Sequence, residues 1–224
     1  MLLRQALGWF VLFAVLIAPG CAALATPPVS RMAVATPGPL PPNAETNGRA
    51  WGPADAPIQV LKFIDYQCLT CGKHSSEYDP GIVEAFAATG KVRFEVRILT
   101  FMGGESLDAG MAALCAADQN AFWRMHRSLF INQPFDGRQN TGVFKPDNLR
   151  DIAAQIGLDM PAFDECFRSQ RHKAALDQDR ADAQRFGVSL APALVVNGKL
   201  YRGAKSADDL RVIFAEIAPD VAFE

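Results

Sequence analysis

The stretch that most constrains this chain runs from residue 58 to residue 71 and reads IQVLKFIDYQCLTC. Its first nine residues are β-prone and mostly apolar, which is typical of a strand buried on both faces in a parallel or mixed sheet. Two cysteines, Cys68 and Cys71, follow at once, and residues 73–88 after them favour a helix. A buried strand that leads into a helix through C-x-x-C predicts an α/β fold with a reactive centre at the strand end.

The cysteine pair itself supports three interpretations. At the start of a helix the unpaired backbone N–H groups and the helix dipole favour negative charge, so a thiolate at Cys68 is stabilised and Cys71 is placed to close a disulfide. A redox pair fits this position best. His74 also allows a metal site of the pattern C-x2-C-x2-H, and a structural staple is the third interpretation. A haem attachment is excluded because Gly72, not histidine, follows Cys71.

Beyond the cysteines the pattern alternates between strand and helix and then becomes helical. Residues 91–100 alternate charged and apolar side chains as a strand does, and Pro80 predicts a kink in the helix before them. The strand pattern returns at residues 193–196 and 199–202, around an Asn-Gly turn. The further helices are predicted at residues 107–118, 121–131, 146–156, 161–169, 172–186 and 206–217. This order predicts one α/β sheet domain with a helical insertion.

The N-terminal part of the chain has a different composition. Within residues 1–25 the only charged side chain is Arg4, a continuous apolar run follows it, and Ala-Leu-Ala closes the segment as in a cleavage site. We expect an export signal, with an uncleaved membrane anchor or lipidation of Cys21 as the alternatives. Residues 26–50 are rich in proline and are expected to form an extended tether. All three alternatives place the remaining chain in the periplasm or elsewhere outside the cytoplasm.

Charge and cysteine content narrow the function further. The formal net charge is −2 without a long run of one sign, so nothing favours nucleic acid or an anionic membrane surface as a partner. Outside the cytoplasm, cysteines tend to be paired or catalytic. Besides Cys21 the chain has four, an even number: Cys68, Cys71, Cys115 and Cys166.

Four segments carry a family resemblance: GPADAP at residues 52–57, FIDYQCLTC at 63–71, CAADQNAFWRMHRSLF at 115–130 and RFGVSLAPALVVNG at 185–198. In these segments the chain resembles the DsbA-like branch of the thioredoxin-fold disulfide oxidoreductases, over essentially everything from Trp51 onward. The resemblance implies a thioredoxin-like fold in which residues 51–105 and 187–224 form the sheet domain. Residues 106–186 are expected to form the inserted helical domain.

The resemblance also assigns roles to single residues. It implies that Cys68 is the nucleophile, that Cys71 resolves the mixed disulfide, and that Pro192 is a cis proline facing the pair. Ala191 then offers its backbone to a peptide substrate as a strand partner would. A trans Pro192 that merely opens a strand is the alternative.

The other two cysteines lie in the predicted insertion. Relatives often carry cysteine at the positions of Cys115 and Cys166, so the resemblance implies a structural disulfide between them. Two buried free thiols that pack as small apolar residues are the alternative.

Four positions depart from the family pattern. Leu69 and Thr70 replace the Pro-His pair of its strongest oxidants, so Thr70 offers at most a hydroxyl hydrogen bond. We therefore expect the pKa of Cys68 to lie at roughly 5–7. Lys62 stands where relatives carry an acid, and it either lowers the pKa of Cys68 or extends outward into water. Ala191 replaces a Thr or Val, which predicts an altered substrate preference.

These features predict an exported thiol:disulfide oxidoreductase that forms disulfides in extracytoplasmic proteins. The resemblance implies no dissociable cofactor, unfolded or reduced exported proteins as substrates, and a membrane redox partner of the DsbB or vitamin K epoxide reductase type. The tether offers no dimerisation segment, which favours a monomer. A disulfide reductase or isomerase of the same fold is the alternative, because the sequence does not fix the direction. A protein of another class, one that handles Cu(I) through Cys68, Cys71 and possibly His74 as a further ligand, is a second alternative.

Overall fold

The computed structural model describes residue 33 and residues 48–223 of the chain. The predicted export signal and almost all of the predicted tether lie outside the described residues. None of the helices in this part of the chain is long and apolar enough to reach across a bilayer.

One five-stranded sheet forms the centre of the fold. Its strands are β1 (Ala50–Trp51), β2 (Ile58–Ile64), β3 (Val92–Ile98), β4 (Ala193–Val196) and β5 (Lys199–Arg202). They lie in the order β1-β3-β2-β4-β5, with β2 parallel to β3 and antiparallel to β4. The sheet is therefore mixed, and β2 is its buried central strand, as the apolar sequence predicts. The short edge strand β1 was not predicted, because two residues carry no periodicity.

Two helices, rather than the predicted single kinked one, connect β2 to β3. Helix α1 (Leu69–Glu77) begins directly after Cys68, and helix α2 (Asp79–Phe86) follows a break at Tyr78. Pro80 lies in the first turn of α2, where its missing N–H costs little. The start of α1 thus lies four residues earlier than the sequence pattern predicts, which places the cysteine pair inside the first helical turn.

The helical block that the sequence predicts lies between β3 and β4. Its helices are α3 (Gly104–Ala117), α4 (Phe122–Asn132), α5 (Pro146–Gln155), α6 (Met160–Arg168) and α7 (Lys173–Arg185). Helix α8 (Ala207–Ile217) then follows the β4–β5 hairpin and begins with a capping box formed by Ser206 and Asp209. This order confirms an α/β sheet with a helical insertion, whereas the limits of the insertion at residues 106 and 186 stay a prediction.

The two faces of the sheet are covered by different helices. On one face Ile58 and Val60 pack with α2 and α8, and Ile64, further along the same face, packs against the inserted helices. On the other face Phe63 packs with Ala183 of α7. The end of β2 that leads to Cys68 therefore lies where the insertion meets the sheet.

A buried carboxylate joins the insertion to the sheet. Asp179 on α7 has no exposed side-chain surface and accepts hydrogen bonds from Arg49, at 2.8 Å, and from the backbone N–H of Ile98, at 2.8 Å. Arg97 on β3 donates a further bond of 3.2 Å. Because both arginines are also largely buried, the carboxylate neutralises charge that water cannot reach.

We predict that Asp179→Asn lowers the free energy of unfolding by about 3 kcal/mol, because it removes the most buried counter-ion of two largely buried guanidinium groups, which keep only the partly exposed Glu95 and Asp182 as partners. Urea unfolding followed by circular dichroism measures this change. The matched control is Asp177→Asn on the same helix, whose exposed pair with Lys173 is worth about 0.5 kcal/mol or less. Equal effects of the two substitutions would contradict the assignment.

Candidate active site

The cysteine pair occupies the N-terminal turn of α1. Cys68 is the N-cap of this helix, and its sulfur accepts a hydrogen bond from the backbone N–H of Cys71 at 3.2 Å. Both residues are free thiols in the structure, Cys68 5% exposed and Cys71 fully buried. A substrate therefore reaches Cys68 first.

The two thiols differ in acidity. A hydrogen bond from the Cys71 thiol is the largest influence on Cys68 and lowers its pKa, while burial opposes this and backbone N–H groups of Cys71 and Thr70 add to it. Burial, and then the same hydrogen bond to Cys68, raise the pKa of Cys71 well above its usual range. The arrangement stabilises a thiolate at Cys68 and keeps Cys71 protonated.

The residues between the cysteines contribute mainly through their backbone. Thr70 is exposed and supports the Cys68 thiolate with its N–H, rather than with the hydroxyl that the sequence suggested. Leu69 is partly exposed and borders a groove of about 580 Å³ that is also lined by Phe130, Ile131 and Phe135. An apolar groove therefore begins directly beside Cys68.

The loop before β4 faces the cysteine pair. The peptide bond between Ala191 and Pro192 is cis, in the arrangement that the resemblance implies. The Cys68 thiol donates a hydrogen bond to the Ala191 carbonyl oxygen at 3.3 Å. The structure thus brings Cys68, Cys71, Ala191 and Pro192 together although more than a hundred residues separate the two pairs in sequence.

Lys62 points into the protein beneath the cysteines. Its side chain is 1% exposed, and its Nζ lies 2.5 Å from both carboxylate oxygens of Asp79 at the start of α2. The alternative in which Lys62 extends into water is therefore wrong. Burial disfavours the Asp79 carboxylate, but the charge of Lys62 and the neighbouring His74 hold its pKa well below the usual range.

The positive charge of Lys62 favours the Cys71 thiolate and so lowers the pKa of this thiol, against the effect of burial. From the sequence, Lys62 was expected to act on Cys68. In the structure it acts on the buried second cysteine instead, from a position where relatives carry an acid.

His74 faces away from the cysteines. Its Nε2 lies 3.1 Å from the Lys205 carbonyl oxygen and its Nδ1 lies 3.1 Å from an Asp79 oxygen. Both ring nitrogens thus lie next to polar atoms of other residues, and among the described residues His74 forms no cluster of possible metal ligands with Cys68 and Cys71. This position removes His74 from the Cu(I) site that the sequence allowed.

A second charge next to the pair was not identified as functional from the sequence. Asp65 is fully buried three residues before Cys68, and its carboxylate accepts bonds from the Ser106 hydroxyl at 2.7 Å and the Gln67 N–H at 2.8 Å. Burial raises the pKa of Asp65, and its negative charge raises the pKa of Cys68. From the sequence, Asp65 flanks the pair, where it either shapes the surface around Cys68 or caps the end of the strand.

The chain is similar to known proteins over most of its length. A family model described as thioredoxin matches residues 44–215. The Na(+)/H(+) antiporter NhaA 1 of Salinispora arenicola is 29% identical over 161 residues, which cover 71% of this chain but 23% of the antiporter. The chain therefore spans only 23% of the length of the antiporter. Disulfide bond formation protein D of Bacillus subtilis is 28% identical over 174 residues, 71% of this chain and 72% of that protein.

A solved structure shows the same fold. A thioredoxin-like oxidoreductase from Silicibacter pomeroyi DSS-3 superposes with a TM-score of 0.64 at 25% identity, over 80% of this chain and 95% of that one. The thioredoxin-like fold with inserted helices is therefore confirmed.

We predict that Lys62→Met raises the pKa of Cys71, because it removes the cation that stabilises this thiolate and leaves Asp79 as a nearby negative charge. The thiolate absorbance of Cys71, followed against pH in a Cys68→Ser background, measures the shift. The control is Lys62→Met combined with Asp79→Asn, which removes both charges and should give a smaller rise. An unchanged pKa of Cys71 in Lys62→Met would exclude Lys62 from the site.

We predict that Asp65→Asn lowers the pKa of Cys68, since the substitution removes the carboxylate whose charge opposes the thiolate. The expected change is a titration of the Cys68 thiolate that moves to lower pH in the same absorbance assay. Asp136→Asn, which removes an exposed carboxylate on the loop after α4, is the matched control and should leave the titration in place. A rise of the Cys68 pKa in Asp65→Asn would refute the assignment.

Proposed function

Since the chain belongs to the thioredoxin family, we propose that it is a thiol:disulfide oxidoreductase that forms disulfides in other proteins. The observation that carries this proposal is the opposite shift of two thiol pKa values in one helical turn, next to the cis Ala191–Pro192 peptide. One thiol keeps a small exposed surface and has a lowered pKa, and the other is fully buried and has a raised pKa. Such a pair suits dithiol–disulfide exchange.

In the oxidising direction the Cys68–Cys71 disulfide takes two electrons from a substrate dithiol. A substrate thiolate attacks the Cys68 sulfur, the Cys71 sulfur leaves and takes up a proton, and a mixed disulfide with Cys68 forms. A second substrate thiolate then attacks the substrate sulfur of that bond, and Cys68 leaves as a thiolate. The substrate gains a disulfide, and the enzyme ends as the dithiol. The lowered pKa of Cys68 makes it a good leaving group in the last step.

The surroundings of Cys68 suit an extended, unfolded polypeptide as substrate. The Ala191 carbonyl lies within hydrogen-bond distance of the Cys68 sulfur, so a peptide bound to this backbone would bring its cysteine to the reactive atom. The apolar groove at Leu69, with the exposed Phe135 at its edge, would accept hydrophobic side chains. Disulfide bond formation protein D of Bacillus subtilis, by its name, acts in the same process.

The proposal includes a location and a source of oxidant. We place the protein outside the cytoplasm, where exported reduced proteins are its substrates and a membrane partner of the DsbB or vitamin K epoxide reductase type reoxidises Cys68 and Cys71. It acts as a monomer and needs no dissociable cofactor. The alternative is a reductase or isomerase supplied by a membrane electron donor, because Asp65 and the absence of histidine between the cysteines both weaken the thiolate.

We predict that the oxidised protein restores activity to a reduced, unfolded protein whose function needs disulfides, and that Cys68→Ala abolishes this reaction. Incubated instead with the disulfide-bonded form of that substrate, Cys71→Ala should accumulate a mixed disulfide, visible on a non-reducing gel, because the Cys68 thiolate attacks the substrate disulfide and the second thiol that would resolve the product is missing. Arg138→Ala, at an exposed ion pair on the loop after α4, is the control and should keep full activity.

The reduction potential of the Cys68–Cys71 couple, measured in a glutathione buffer, separates the two directions. We expect a value on the oxidising side of about −200 mV, between the limits of about −120 mV and −270 mV found for strong oxidants and reductants of this fold. A value near −270 mV would overturn the oxidase proposal in favour of a reductase.

A further inference from the structure

A second cluster of metal-ligating side chains lies in the helical insertion, away from the cysteine pair that the proposed function uses. Cys115 on α3 and Cys166 on α6 form a disulfide with Cα atoms 5.9 Å apart. The two cysteine sulfurs and a ring nitrogen of His172 all lie within 4.8 Å of one another. Among the described residues this is the one such group of three or more His, Cys, Asp or Glu side chains.

A carboxylate lies beside two members of this cluster. Asp118, the residue after α3, places its Oδ2 atom 3.7 Å from the Cys166 sulfur and 2.9 Å from His172 Nε2. Two sulfurs and one imidazole nitrogen thus lie together at the ends of three helices, with a carboxylate oxygen next to the Cys166 sulfur and the nitrogen. This is a donor set that tetrahedral zinc accepts.

Two of the spacings can be compared with those of a tetrahedral site. Metal–ligand distances of about 2.3 Å for sulfur and about 2.1 Å for nitrogen and oxygen give edges of about 3.8 Å between sulfurs, about 3.6 Å from sulfur to oxygen and about 3.4 Å from nitrogen to oxygen. The distances from Asp118 to Cys166, 3.7 Å, and to His172, 2.9 Å, lie within about half an ångström of those edges. The two sulfurs reach theirs by side-chain rotation once the bond between them is broken.

Charge and access also suit a divalent cation. Both cysteines are buried, whereas His172 and Asp118 are 22% and 34% exposed, so a metal ion can enter from their side. Two thiolates and one carboxylate would leave a zinc complex with one net negative charge. Arg171, which lies 3.0 Å from the Asp118 carboxylate, would balance that charge.

We propose that reduction of the Cys115–Cys166 disulfide creates a zinc site formed by Cys115, Cys166, His172 and Asp118. A dithiol donates two electrons and two protons, becomes a disulfide itself and leaves two thiols in the insertion. Zn²⁺ then displaces both thiol protons and the proton shared by His172 and Asp118. Helices α3 and α6 remain cross-linked in both states, by a sulfur–sulfur bond under oxidising conditions and by the metal under reducing ones.

The test uses the full chain with Cys21→Ser, Cys68→Ser and Cys71→Ser, so that the two insertion cysteines are the only thiols left. The protein is reduced with a phosphine, freed of reductant without oxygen, and titrated with Co²⁺ and then Zn²⁺. We expect one equivalent of Co²⁺ to bind with the visible and charge-transfer bands of a tetrahedral thiolate complex, and Zn²⁺ to displace it. The oxidised protein should bind neither ion. Because the active-site cysteines are absent, the outcome does not depend on the proposed oxidoreductase activity.

Two substitutions and one control assign the ligands. His172→Ala and Asp118→Asn should each weaken zinc binding by about 10- to 100-fold or more. Asp177→Asn, an exposed carboxylate on the neighbouring turn of α7, should leave it unchanged. Binding that His172→Ala does not weaken would overturn the proposal, as would a reduced, folded protein that takes up no cobalt. If reduction unfolds the protein, recovery of its circular dichroism on adding Zn²⁺ supports the site, and failure to recover refutes it.

Discussion

The hydrogen bonds that converge on the Cys68 sulfur are the interaction on which the proposed chemistry depends. They exist because α1 begins at the cysteine itself, so that the N–H groups of the first turn have no helical partner and point at the sulfur. The Cys71 thiol adds a further bond from one turn along the helix. A single helix start therefore makes one thiol acidic and keeps the other protonated.

Two buried charges of opposite sign adjust this arrangement. Asp65 raises the pKa of Cys68, and Lys62 lowers that of Cys71, so together they reduce the difference that the helix start creates. Burying charge is expensive, and each group is therefore held by partners: Asp79 for Lys62 and the Ser106 hydroxyl for Asp65. In the proposed function, the oxidising strength of the Cys68–Cys71 pair thus depends on the balance of these charges, besides the residues between the cysteines.

Local patterns identified most of the fold. The strands of the hairpin begin and end where the alternation and the Asn-Gly turn predict, because both depend on neighbouring residues alone. The inserted helices also lie within a few residues of their predicted limits. The break at Tyr78 was missed because Pro80 allows either a kink or a new first turn, and only the packing of α1 and α2 against the sheet selects between them.

The sequence by itself identified Cys68 and Cys71 as the candidate reactive pair, since C-x-x-C between an apolar strand and a helix favours redox chemistry through local geometry. Tertiary structure decided what surrounds it. Lys62 meets Asp79 from 17 residues away, and the Asp65 carboxylate meets Ser106 from 41 residues away. The His74 ring lies beside Asp79 and the Lys205 carbonyl, and it does not join the cysteines in a ligand set. These contacts join separate elements of the fold, and their energies depend on how deeply each group is buried. A local sequence pattern does not determine that burial.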